Sequence, residues 1–384
     1  MRDAKRIAVY NRTMLKEFDL SLLMEPLLAW YEKEKRDLPW RRDASPYRVW
    51  VSEIMLQQTR VEAVKPFFER FTRRLPDVCA LADCPEDELL KLWEGLGYYN
   101  RVRNMQKAAM QVVEEHGGRL PADYDALLKL KGIGSYTAGA IASIAYQIPV
   151  PAVDGNVLRI LTRVSADDTD IMKASFRKQV KEQLTSYMQS EAFDAKQSGT
   201  FNQALMELGA TVCVPNGAPN CEACPWRELC LAKKDGRILE LPVKTKAKER
   251  RIEKRTVLVI RDGERVAIRK RPKKGLLAGL YELPNMEGHL SDEEALAQVK
   301  QLELSPIRIQ KLPEAKHIFS HVEWQMRGYA ILVEEPELME ERHETEAFIF
   351  VEAATSERQY AIPAAFAAYA KYMGIKIGQE RFLE

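Results

Sequence analysis

Apolar residues recur at spacings of three and four through LLMEPLLAWYEKE, DELLKLWEGL, RNMQKAAMQVVEEH, YDALLKL, YTAGAIASIAY, FRKQVKEQLTSYM and FNQALMELGATV. That period predicts helices almost throughout the first two thirds of the chain. Downstream the period changes. RTVLVIRDGERVAIRKR is two β-branched runs joined by Asp262-Gly263, which predicts a β-hairpin. YAILVEE and EAFIFVE read as further strands, and DEEALAQVKQL and YAIPAAFAAYAKYM as helices.

The fold class that follows is multidomain, an all-α part over residues 21–235 and an α+β part over 256–384, with 1–20 as an N-terminal extension. At 384 residues the chain exceeds one typical core. The segment 236–255 separates the two parts. Its run KTKAKERRIEKR is strongly basic and nearly free of large apolar residues, as a linker is, and serves either as a solvated tether or as a phosphate-contacting arm. The net charge of +2 conceals that asymmetry. No apolar run approaches the ~18 residues that would span a bilayer.

Four of the 6 cysteines, Cys213, Cys221, Cys224 and Cys230, crowd into one stretch. Four thiolates at such spacing can share one centre, tetrahedral zinc or a 4Fe-4S cluster. Zinc sites usually come as two C-x2-C pairs, whereas here a single pair is flanked by longer arms, which favours iron-sulfur. Disulfides are the third reading, but they belong to small secreted domains, and no apolar signal segment follows MRDAKRIAVYNR. Cys79 and Cys84 alternate with Leu and Ala and read as structural, buried or half-buried thiols. All six fit a reduced, cytosolic compartment.

Lys131-Gly132-Ile133-Gly134 separates two helical stretches. Glycines at a tight turn before a helix let backbone N–H groups approach a phosphate, and the helix dipole adds to the attraction. The pattern signals a helix-hairpin-helix unit that binds DNA backbone through Gly132 and Gly134; simple packing of an α-hairpin gives the same pattern. Asp154, ahead of Gly155-Asn156, reads on spacing as a helix N-cap.

A Gly-rich hairpin, an aspartate soon after and a four-cysteine loop downstream resemble, in that order, the endonuclease III superfamily of base-excision glycosylases. Five motifs narrow the resemblance to adenine DNA glycosylases of MutY type. They are Leu38-Pro39-Trp40-Arg41, the run from Trp50 to Arg60, Gly95-Leu96-Gly97-Tyr98-Tyr99, Val153-Asp154-Gly155-Asn156-Val157 and the run from Phe201 to Ala210. The match covers residues 20–235 and, more loosely, the C-terminal part. One departure is the first cysteine interval, VPNGAPN, seven residues where the family usually has six. An extra residue in a Gly/Pro loop can bulge outward without moving the ligands.

Breaking an N-glycosidic bond requires a proton on the leaving base while the sugar becomes oxocarbenium-like. One protonated and one ionised carboxylate suffice. A free Glu is ionised at neutral pH, so the acid needs an apolar pocket that raises its pKa. Glu53, among Val51, Ile54, Met55 and Leu56, is suitably placed, unless it lies on the solvent face of its helix.

The resemblance implies that Glu53 protonates adenine, that Asp154 stabilises the sugar cation, and that Tyr136 and Asn156 support them. Bifunctional relatives carry at position 136 a Lys that forms a Schiff base; a phenol cannot, so a monofunctional enzyme is expected. Gln58 and Tyr98 resemble the family's wedge, which enters the base stack while the target is flipped. Arg36, Trp40, Leu56, Gln203 and Glu207 resemble the adenine pocket. The cysteines correspond to a 4Fe-4S cluster loop at 213–230.

The C-terminal part resembles the Nudix-like domain of these glycosylases, with Phe319, Ser320 and His321 matching the loop that senses 8-oxoguanine. GHLSDEEALAQVKQLEL lacks the Glu box that a Nudix hydrolase uses for magnesium, so damage recognition is expected rather than pyrophosphate hydrolysis. Implied partners are duplex DNA with adenine opposite 8-oxoguanine or guanine and no membrane; the implied enzyme is a cytoplasmic, nucleoid-associated monomer. A superfamily glycosylase of other base preference, or a non-catalytic DNA-binding scaffold, is the alternative. A mere binding module has no need for both Glu53 and Asp154.

Overall fold

The computed structural model describes residues 18–245, 249–334 and 348–377. Most of the N-terminal extension and residues 246–248 of the basic linker therefore lie outside the described residues. By its contacts the chain groups into two compact units. The first runs to Gln57 and takes in Asp77–Cys79 and Lys107–Lys246; the second holds Gln58–Pro76, Ala80–Gln106 and the chain from Ala247, so the boundary falls inside the expected linker 236–255, whose last residues, Arg251–Arg255, are already strand because they pair with a neighbouring strand rather than lie free.

The first unit is helical. Its core joins Leu27, Val157, Leu161, Phe176, Val180, Leu184, Phe201, Leu205 and Trp226, contributed by helices Ser21–Glu34, Gly155–Val164, Ala174–Met188 and Ser198–Thr211 and by the cysteine loop. Three of these helices, all but Gly155–Val164, are apolar stripes of the sequence turned inward. Two glycines permit the closest approaches. A Cβ on Gly139 would lie 2.3 Å from the Pro151 carbonyl oxygen, and one on Gly209 would lie 2.7 Å from the Asn156 Cβ. The helix Pro46–Leu56 is buried from Val49 through Met55, so a carboxylate within it cannot reach bulk water.

Among the described residues the second unit carries a seven-stranded sheet. Its strands are β1 (Arg251–Asp262), β2 (Arg265–Lys270), β3 (Tyr281–Glu282), β4 (Asn285–Glu287), β5 (Pro306–Ile318), β6 (Val322–Val333) and β7 (Ile349–Glu352), in the order β3-β2-β1-β6-β5, with β4 on β1 and β7 on β2. The expected hairpin is present: β1 pairs antiparallel with β2, Asp262 opposite Arg265, around Gly263 at φ 60°. β1 lies parallel to β6 at the centre. Alternate residues of β1 therefore serve two cores, Val257 and Val259 with Trp324, Phe366 and Tyr369 on one face, Leu258 and Ile260 with Ala295, Val299 and Ile331 on the other.

Helix Asp292–Gln301 covers the second face and begins in a capping box between Ser291 and Glu294. Of its acidic first turn, Glu294 is committed to that cap. The stretch YAIPAAFAAYAKYM becomes helical only beyond Pro363, as a 3-10 turn Ala364–Phe366 and a helix Ala367–Met373, because proline opens a helix far better than it continues one. β5 went unforeseen. It is an edge strand exposed along most of its length, with a register shift at Leu312/Ala315 around Pro313, so its sequence lacks an apolar alternation.

Within this unit the segment 80–106 is fastened to the sheet domain. Lys91 Nζ donates to the Ser356 and Tyr360 carbonyls at 3.2 and 2.5 Å, the buried Glu94 accepts the Ile362 N–H at 2.9 Å, and Arg103 donates to the Ala278 carbonyl at 2.6 Å. Of the two remaining cysteines, Cys84 is buried as expected, whereas Cys79 is exposed.

Candidate active site

Glu53 is only 5% exposed. The solvent-face alternative is thereby excluded, since the helix around it is buried on all sides. Burial raises its carboxyl, and the nearby Asp154 charge raises it further, against the hydrogen bond from Tyr136 and the more distant Arg41; the result is about 7. The Tyr136 hydroxyl donates to Glu53 Oε2 at 2.6 Å. Burial and the two carboxylates hold the Tyr136 phenol well above its ordinary range, so it remains a donor.

Asp154 performs the N-cap role that its spacing suggests: Oδ1 accepts the N–H groups of Asn156 and Val157 at 2.9 and 2.8 Å. Its second oxygen, Oδ2, accepts the Asn156 amide at 2.7 Å. Burial raises the Asp154 pKa, and these three bonds oppose the rise. The cap and the chemistry are thus compatible, because the helix start holds the carboxylate in one orientation.

Arg159 was missed by sequence reading. It is 3% exposed and donates to Asn156 Oδ1 at 2.8 Å, the Gly209 carbonyl at 2.7 Å and the Cys213 carbonyl at 2.9 Å. A chain of contacts therefore runs from the cysteine loop through Arg159 and Asn156 to Asp154. The available signal was an Arg inside an otherwise apolar stripe, NVLRIL, four residues before a second buried Arg, Arg163.

Among the residues expected to line the adenine pocket, Glu207 and Arg36 meet each other. The Glu207 oxygens accept the Arg36 N–H, Nε and Nη2 and the Arg41 Nη2 at 2.7–3.1 Å. Burial would raise this carboxyl, but the two guanidinium groups outweigh it and hold it at about 2. Gln203 accepts from the Tyr31 hydroxyl at 3.4 Å; Trp40 is buried and Leu56 half-buried. Arg41 is a second addition to the sequence reading.

Cys213, Cys221, Cys224 and Cys230 line one small pocket together with Arg163, Arg227 and Lys233. Arg163 Nη1 lies 3.3 Å from Cys213 Sγ. Four thiolates beside three cations suit an anionic thiolate-ligated group. Among the described residues no three His, Cys, Asp or Glu side chains are grouped closely enough for a single metal ion. An all-thiolate donor set of this kind suits either tetrahedral zinc or an iron-sulfur cluster.

The remaining expected residues take two settings. In the hairpin Gly132 has φ 77°, and the space where a Gly134 Cβ would point is open, which leaves room for an approaching backbone. In the second unit Gln58 and Tyr98 are among the few non-glycine residues at positive φ, 59° and 49°. Both are exposed. Backbone in that region is uncommon for a residue with a Cβ and persists only where the surroundings hold it. Phe319, Ser320 and His321 form the turn between β5 and β6, with Phe319 edge-on to His317 and Trp324 and with Ser320 and His321 exposed.

Comparison with known proteins finds relatives along most of the chain. Residues 51–186 match the HhH-GPD superfamily of base excision DNA repair proteins, and residues 256–372 match a NUDIX domain. The chain is 36% identical over 378 residues to the adenine DNA glycosylase of Mus musculus, covering 83% of this chain and 72% of that protein. It is 34% identical over 296 residues to the adenine DNA glycosylase of Buchnera aphidicola subsp. Schizaphis graminum, covering 77% and 83%. Among solved structures, a thermostable thymine-DNA glycosylase aligns with TM-score 0.49 at 26% identity over 56% of this chain and 96% of that one.

Proposed function

Because this chain belongs to the adenine DNA glycosylases, we propose that it hydrolyses the N-glycosidic bond of adenine opposite 8-oxoguanine or guanine, with Glu53 as acid and Asp154 as charge stabiliser. One observation carries the reading: a buried carboxyl at about 7, bonded to a phenol and facing a second, capped carboxylate. A group at that value keeps its proton for a large share of the time at neutral pH and still gives it up. Glu53 donates to a ring nitrogen of the flipped adenine as the C1′–N bond breaks. Asp154 faces the positive charge left on the sugar, and water adds at C1′, its proton restoring Glu53.

Tyr136 keeps the acid in place, and with a phenol at that position no imine forms, so the enzyme is monofunctional. The buried Glu207 fixes Arg36 and Arg41 beside the adenine pocket. Gln58 and Tyr98 enter the stack, and the Phe319–His321 turn reads the base opposite. The Asp292–Gln301 helix commits Glu294 to its cap, which supports recognition rather than pyrophosphate hydrolysis in the Nudix-like domain. Cys213, Cys221, Cys224 and Cys230 would hold a 4Fe-4S cluster that braces Arg159 and Arg163 and takes no part in bond breaking.

The test is incubation with duplexes carrying each mismatch, followed by alkali. Abasic sites should form at adenine opposite 8-oxoguanine or guanine and be cleaved only by the alkali. Release of another base, or efficient trapping of a covalent complex by borohydride, contradicts the assignment.

A further inference from the structure

The loop that carries Tyr98 has an unusual backbone. Gly95, Gly97 and Tyr98 all have positive φ, at 102°, 68° and 49°. Glycine adopts that region freely, whereas a residue with a Cβ stays there only if its surroundings hold it. Tyr98 is 48% exposed, so burial of its ring in a core is not what holds it.

The holding contacts come from Arg101, three residues on. Its Nη2 donates to the Leu96 carbonyl at 2.9 Å and to the Gly97 carbonyl at 3.1 Å. Its backbone N–H donates to the Tyr98 carbonyl at 2.9 Å. The guanidinium carbon lies 5.5 Å from the centre of the Tyr98 ring and 5.3 Å from that of Trp93, within cation–π range of both. Trp93 Nε1 adds a fourth bond to the loop, donating to the Gly97 carbonyl at 3.0 Å. Burial lowers the Arg101 pKa to about 10, which leaves the guanidinium charged at neutral pH.

We propose that Arg101 is the positioning residue of the intercalating wedge, clamping the carbonyls of the 95–98 turn and the underside of the Tyr98 ring so that the phenol is presented to DNA already ordered. A planar fork is suited to this, since one side chain reaches two carbonyls and two ring faces; a lysine ammonium cannot reproduce that geometry. Ordering the wedge beforehand removes an entropic cost from insertion. The inference rests on the reading of Tyr98 as the wedge.

A double-mutant cycle on the full chain separates this role from a merely structural one. The variants are Tyr98→Ala, Arg101→Met and the double substitution. The readouts are the preference in equilibrium binding for an adenine:8-oxoguanine duplex over a matched duplex, and the fluorescence rise of 2-aminopurine placed at the target. Each single variant should lower the preference about tenfold or more, and the double should be within about twofold of Tyr98→Ala alone. Arg101→Lys should restore only part of the loss. Losses that add in full overturn the proposal. If Tyr98→Ala alone leaves the preference unchanged, the wedge reading fails instead. Should Arg101→Met not fold, the same cycle run with Arg101→Lys decides.

Discussion

Ser320 Oγ donates a hydrogen bond to the phenol oxygen of Tyr98 at 3.3 Å. The tip of the β5–β6 turn thus touches the residue read as the wedge, 222 positions earlier in the chain. The fastenings of Lys91, Glu94 and Arg103 to the sheet domain make that meeting possible. Recognition of the opposite base and propping of the stack would then be one physical event.

Replacing Ser320 and His321 together with Ala should therefore reduce the preference for adenine opposite 8-oxoguanine over adenine opposite guanine. Each lost hydrogen bond is worth roughly 0.5–1.5 kcal/mol, so the ratio should change by about tenfold. Single-turnover excision on both duplexes measures it. An unchanged ratio would leave the C-terminal domain as a general DNA clamp.

Glu53 makes excision and stability depend on pH in a defined direction. Excision should decline as pH rises through about 7, where the acid loses its proton. The folded group sits at about 7 against an ordinary 4.5, so the folded protein binds more protons between those values. Its contribution to stability is complete below the ordinary value and is lost as pH rises toward 7, about 3 kcal/mol in all at about 1.4 kcal/mol per unit. Glu53→Gln should match the parent protein in thermal melting at low pH and exceed it above pH 7. Identical melting temperatures at every pH would mean that the carboxyl is not raised.

Arg159→Met should destabilise the first unit by about 3 kcal/mol, because it strands the buried acceptors of Asn156, Gly209 and Cys213. Excision per folded molecule should fall too, as Asn156 loses the group that orients it toward Asp154. Denaturant unfolding and single-turnover excision check both. Lowered stability with undiminished excision would detach Arg159 from the site.

Protein purified without oxygen should be yellow-brown and hold about four irons per chain. Metal analysis and visible absorption decide. Stoichiometric zinc without iron would overturn the cluster.

Much of this was legible in the sequence because the informative elements obey local rules. Asp154 reads as a cap and is one; Asp262-Gly263 reads as a hairpin turn and is one; Glu53 sits in an apolar run and is buried. What escaped is non-local. The polar edge strand β5 is defined by its partner β6 rather than by its own alternation. Arg41 and Arg159 take their roles from residues more than 40 positions away, Glu207, Gly209 and Cys213. The contact of Ser320 with Tyr98 likewise has no trace in either local sequence.

The most direct test of the account compares mismatch binding and adenine release by Glu53→Gln and the unsubstituted protein under single-turnover conditions. The amide keeps the shape and can still meet Tyr136, but it has no proton to transfer. Binding to the adenine:8-oxoguanine duplex should be unchanged, while adenine release should fall by about 10²–10⁴-fold. Release at the original rate, or binding lost in parallel with release, would contradict Glu53 as the acid.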